Sequence, residues 1–178
     1  FPTKTLMKKW HRWFPIGVVL IFGLYLLAAM APRSKGPFQL RDFGRLPVLL
    51  NGRVQPLDSV ARNSLRQLRG KQTVWVDGRS MPAIEWLAQV LMKREAADQL
   101  KVLRIDHPEL IGLLKLPEGE KYFAFDQVRD SLEEIEKQGR RAGEKAADTR
   151  TAFEQQTFRL YQNLILYHRL KNSVSADG

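Results

Sequence analysis

The chain has 178 residues, 29 Lys and Arg against 19 Asp and Glu, and no cysteine. The missing cysteine excludes disulfides, thiolate metal sites, thioredoxin-like pairs and C-x-x-C-H haem attachment. The charge is lopsided: residues 1–71 carry 13 basic and 2 acidic side chains, a net +11, whereas residues 72–178 balance to −1. Such a skew suits nucleic acid or an anionic lipid surface.

In chain order, residues 1–12 form a basic segment holding Lys4, Lys8, Lys9 and Arg12. Residues 13–31, WFPIGVVLIFGLYLLAAMA, carry no charge. At about 1.5 Å per residue they reach ~28 Å, near the ~30 Å hydrocarbon core, and predict a transmembrane helix. Trp10 and Trp13 fall at an interfacial belt, and Gly17, Gly23, Ala28 and Ala29 permit close helix packing. Ala29-Met30-Ala31 fits a signal-peptidase site, but Pro32 suits the following position poorly, and an uncleaved anchor is expected. The flanking cations lean toward a cytoplasmic N-terminus, which puts the rest of the chain in the periplasm and the protein in the inner membrane.

Residues 32–47 read as a basic, proline-rich linker, and residues 48–173 as an extracytoplasmic domain. Asn51-Gly52 is a type I′ hairpin turn. Asp58 or Ser59 is expected to cap a helix with apolar positions Leu57, Val60, Ala61, Ser64/Leu65 and Leu68, ended by Gly70. The arrangement recurs 26 residues on: Gly52-Arg53 falls on Gly78-Arg79, Pro56 on Pro82, Leu65 on Leu91. This reads as an internal duplication or as the ordinary punctuation of turns and helix starts.

Further strands are predicted at LKVLRID and EKYFAF, with helices at HPELIGLLKL, capped by Asp106, and QVRDSLEEIEKQ, capped by Asp126. Gly139 and Gly143 are expected to bend or stop the second of these helices. A long helix over about 144–173 sets Phe153, Leu160, Tyr161, Leu164 and His168 on one face, and residues 174–178 form a polar tail. The fold class is α+β: a single N-terminal transmembrane helix, then short β-hairpins and helices ending in a long C-terminal helix.

No catalytic constellation, cofactor motif or metal spacing emerges. His11, His107 and His168 stand apart, Glu133, Glu134 and Glu136 belong to an ordinary charged helix face, and Ser59 and Ser64 lack a partner base. Catalytic, cofactor-binding and metal residues are therefore read as none. Arg45, Arg53 and Arg79, each beside a turn, are the candidate site: arginine there forks onto the carboxylates of an acidic partner or onto lipid headgroups, or else makes salt bridges within the domain. Nucleic acid is set aside, because no RNA-binding aromatic motif accompanies the basic stretch.

Residues 43–74, FGRLPVLLNGRVQPLDSVARNSLRQLRGKQTV, resemble a segment of the fused ResB/CcsA-type membrane cytochrome c biogenesis proteins. Gly44, Arg45, Leu46, Pro47, Gly52, Arg53, Pro56, Leu57, Asp58, Ala61, Arg62, Gly70 and Lys71 carry the likeness, with Ser59 where threonine is usual. The resemblance implies a c-type cytochrome setting and maps no haem ligand onto this chain. The expected function is that of a non-catalytic, membrane-anchored accessory subunit bound to other subunits of an electron-transfer complex. The alternative is a haem-delivery assembly factor, with His168 or His107 as ligand.

Overall fold

The computed structural model describes residues 15–26, 39–50, 52–92 and 94–173, and of Arg94 the backbone alone. Two units are present, residues 1–39 and 40–178. The first contains helix α1, residues 15–26. Its twelve residues extend about 18 Å, short of the ~30 Å a bilayer core requires. No helix among the described residues is long and apolar enough to cross a membrane. This overturns the expected transmembrane helix over 13–31, and with it the inner-membrane, N-terminus-inside placement. Positions 13–14 and 27–31, the N-terminal segment 1–12 and the tail 174–178 lie outside the described residues.

The second unit is α+β. It opens with α2 (Leu40–Arg45), which occupies part of the stretch expected to be linker. Three two-stranded antiparallel ribbons follow, and none pairs with another. In each, the second strand runs straight into a helix. Strands β1 (Pro47–Leu50) and β2 (Arg53–Pro56) feed α3 (Leu57–Arg69). Strands β3 (Thr73–Val76) and β4 (Arg79–Pro82) feed α4 (Ala83–Met92). After α5 (Arg94–Asp98), β5 (Lys101–Arg104) pairs across an insertion bearing α6 (Pro108–Leu113) with β6 (Tyr122–Ala124), which feeds α7 (Phe125–Val128). A 3-10 turn leads into α8 (Leu132–Glu144), and α9 (Ala152–Asn172) closes the fold.

The 26-residue recurrence is geometric. Pro47 pairs with Pro56 as Thr73 pairs with Pro82, and Leu50 with Arg53 as Val76 with Arg79. The second turn holds Asp77 at φ 48 and Gly78 at φ 76, the double positive φ of a type I′ turn. Gly52 has φ 75, and Asn51 lies outside the described residues. Proline ends β2 and β4, where no further ladder donor is needed, and its fixed φ sets the entry to each helix.

The expected apolar face of α3 is buried in full: Leu57, Val60, Ala61, Ser64, Leu65 and Leu68. Gly70, at φ 78, ends the helix by donating its N–H to the Arg66 carbonyl. The expected caps are not used. Pro56 holds the N-cap position of α3, and Asp58, one turn inside, pairs with Arg62 at 2.8 Å. Asp106 pairs with Arg104 at 2.8 Å instead of capping α6. Asp126 lies within α7, whose start is closed by Gln127 Oε1 accepting the Ala124 N–H at 2.8 Å. Among the described residues, α9 carries a reciprocal side-chain box: Thr151 Oγ1 accepts from the Glu154 N–H, and Glu154 Oε2 accepts from the Thr151 N–H.

The core gathers Leu65 and Leu68 of α3, Trp86, Leu87 and Val90 of α4, Leu103 of β5, Phe123 of β6 and Tyr167 of α9. Each large side chain so enclosed contributes about 1.5–3 kcal/mol. Trp86 gives some of this back, because its buried Nε1–H has no acceptor among the described residues. The helix α8 runs through Gly139 and ends at Glu144, just past Gly143, and both glycines let α9 approach it. A Cβ on Gly139 would lie 2.5 Å from Tyr161 Cβ, and one on Gly143 would lie 2.9 Å from Phe158 Cε2.

Candidate functional site

The three arginines singled out by the sequence meet three fates. Arg79 forks onto Glu85 in the first turn of α4, donating from NH2 to Oε1 at 2.6 Å and from NH1 to Oε2 at 3.2 Å. That hydrogen bond, then the carboxylate's charge, raises the guanidinium pKa further. Arg79 is thus occupied within its own ribbon–helix unit. Arg53 stands 26 residues earlier, and the position equivalent to Glu85 is Ser59. With no carboxylate there, Arg53 has no ion pair among the described residues and projects from the ribbon tip into solvent. Arg45, with 75 % of its side chain exposed, faces Asp42 at a loose 3.7 Å.

The two ribbons turn the same register positions inward but fill them with different residues. In the second, the inner cross-strand pair is Val74–Met81, both buried, and the outward pair is Trp75–Ser80. In the first, the inner pair is Val48–Gln55, both half-buried, and the outward pair is Leu49–Val54. Leu49 and Val54 are 72 % and 73 % exposed. Leu46 at the ribbon base and Leu50 at its tip are exposed as well, in register with Val48 on the other face. The sequence signal was present, since VLL and VQ place apolar residues on both ribbon faces, but alternation alone does not say which face is covered.

Beside the ribbon, α2 leans on α3 and α4 over Gly44, where a Cβ would meet Asp58 Cβ at 3.2 Å and Ile84 Cγ1 at 3.3 Å. Between them opens a cleft of about 380 Å³. Arg41, Arg45 and Arg62 line it with Asp58, over a floor that includes Pro82 and Ile84. Arg45 therefore sits with Arg41 and Arg62, apart from Arg79, which is held by Glu85. Arg41 was not singled out from the sequence, because it stood in a presumed linker.

A second polar constellation lies inside the fold. Asp98, at the end of α5 and 1 % exposed, accepts from Tyr167 Oη at 2.8 Å, from Arg129 NH2 at 3.0 Å and from Lys171 Nζ. The Phe125 ring stacks on Tyr167 at 5.1 Å, with the Arg129 and Lys171 cations over it. Burial first, and the Asp98 hydrogen bond second, push the Tyr167 phenol well above its ordinary value. A raised folded pKa means the unfolded chain ionises first, so stability is whole below about pH 10 and falls as pH rises beyond it. Tyr167→Phe is expected to flatten that decline, read as urea midpoints between about pH 8 and 11. A decline as steep as the parent's would assign it to other groups.

The histidines are separated. His168 lines an open groove between α8 and α9 and meets the Phe125 ring edge-on at 5.2 Å. His107 precedes α6, edge-on to Phe153 at 5.8 Å, with a buried Nδ1 that has no partner among the described residues. Glu134 and Glu136 engage Gln138 and Arg140 one turn along α8. No protein-family model matches the chain, and no curated protein matches it.

Proposed function

We propose that this chain is a non-catalytic accessory domain that docks onto a larger protein assembly through the outward face of its first ribbon. One observation carries the reading: both outward residues of the first ribbon, Leu49 and Val54, are apolar and exposed, whereas the outward pair of the second, 26 residues on, sets an exposed Trp75 beside a serine, Ser80. An apolar outward pair gains nothing in water, and covering it contributes about 1.5–3 kcal/mol per side chain. Exposed patches of this kind mark interaction surfaces. The resemblance of residues 43–74 to cytochrome c biogenesis proteins falls on this ribbon and its neighbours, and suggests an assembly that contains or matures c-type cytochromes.

The test is quantitative recovery of the assembly on tagged protein from its native cells, with subunits identified by mass spectrometry. Leu49→Ser/Val54→Ser is expected to lose the c-type cytochrome-containing partner about tenfold, while the thermal midpoint stays near the parent's because neither side chain is in the core. Glu133→Gln on α8 should retain it. Equal recovery with the ribbon variant, or no cytochrome-linked partner on the parent, would overturn the reading.

A further inference from the structure

We infer that the cleft between α2 and the start of α3 receives an acidic, partly apolar segment of the partner protein. This rests on the docking reading above and names the chemistry of the partner. The cleft adjoins the ribbon through β2, whose last residue, Pro56, lines it. Its charged rim is three guanidiniums against one carboxylate, and that carboxylate, Asp58, is already held by Arg62 at 2.8 Å. Arg41 has no ion pair or hydrogen bond among the described residues, and Arg45 has only its distant Asp42. Two planar, permanently charged forks are thus left facing the same opening.

Guanidinium forks match carboxylates in pairs, and the floor of Leu40, Gly44, Pro82 and Ile84 offers an apolar neighbour for the aliphatic part of such a segment. The positive end of α3 opens on the same side, because Asp58 and Ser59 stand in its first turn. The chain's own adjoining stretch, 32–38, brings Arg33 and Lys35 and no acid, so it does not supply the complement. The rest of the folded chain offers no comparable charge excess, since residues 72–178 balance to −1.

The probe is a short rhodamine-labelled peptide alternating glutamate and leucine, titrated by fluorescence anisotropy at low ionic strength against the full chain. Binding is expected, weakening about tenfold in Arg41→Glu/Arg45→Glu and about threefold in the neutral Arg41→Gln/Arg45→Gln, which spares α2 any added acidic repulsion. Lys137→Glu/Arg141→Glu on α8 alters net charge equally with its exposed side chains and is expected to leave binding unchanged. A glutamine–leucine peptide should bind weakly, and inorganic phosphate at about 10 mM should not displace the acidic one beyond its ionic-strength effect.

Unchanged affinity in both cleft variants, an equal loss in the α8 variant, or displacement by phosphate would overturn the inference. The first means another site, the second non-specific attraction, the third a phosphate-binding cleft. Should the cleft variants bind normally while Leu49→Ser/Val54→Ser still releases the partner, the docking reading stands and this inference alone falls. If the ribbon variant retains the partner, the docking reading falls whatever the peptide does.

Discussion

Asp98→Ala is expected to be the most damaging single substitution in the folded unit, costing about 3–5 kcal/mol. The carboxylate is 1 % exposed and collects three donors from two distant segments, Tyr167 and Lys171 of α9 and Arg129 before α8. Its removal strands the Tyr167 hydroxyl, which has no exposure, and the Lys171 ammonium, whose side chain is 18 % exposed. Arg129 loses less, because it is 53 % exposed and also holds Asp126 at 2.6 Å. For a unit of this size the thermal midpoint should fall on the order of 10–20 °C. Asp98→Asn keeps an acceptor for Tyr167 and should cost less than the alanine variant. A loss below about 1 kcal/mol for Asp98→Ala would show that water satisfies the stranded groups.

Gly139→Ala sets two effects of opposite sign against each other. Alanine in a helix interior gains about 1 kcal/mol over glycine. The new methyl would lie 2.5 Å from Tyr161 Cβ and 2.7 Å from its Cγ, so α9 must move bodily. Overpacking of that kind costs about 1–3 kcal/mol, and a Cβ-rooted clash sits at the upper end. We expect net destabilisation for alanine and a larger loss for valine, measured by urea unfolding. Tyr161→Ala should rescue it only in part, because the 2.5 Å contact with Cβ remains when the Cγ contact is gone. Gly143→Ala, which meets only the ring edge of Phe158, should be rescued by Phe158→Leu. Full rescue of the first variant by Tyr161→Ala would refute the assigned Cβ contact.

What the sequence disclosed follows from how local each cause is. Turn chemistry at Asp77-Gly78, the buried stripe of α3 and the stop at Gly70 depend on residues within a few positions, and the structure has them as expected. Helix starts were read less well. Asp58, Asp106 and Asp126 are all capping types near a helix start, but each found a nearby arginine and left the cap to the backbone or to a glutamine. The apolar run at 13–31 suggested a span by length alone, whereas the helix described there covers 15–26. Arg79 and Arg53 looked alike, and only the partner at position 85 against 59 separates them. Asp98 drew no attention, because its partners lie 31 to 73 positions away and no short pattern links them.

The ribbon–helix units have a consequence for how the polypeptide assembles as it leaves the ribosome. The first two pair nearest neighbours in the chain, so their register is set locally, although their stability draws on a core completed later. Asp98, by contrast, waits for donors at 129, 167 and 171, the last two on the final helix. Until that helix emerges and seats, two of the three donors that Asp98 needs for burial are missing. A chain halted before residue 167 is therefore expected to lack both the Asp98 network and the α9 side of the core that its early ribbons pack on.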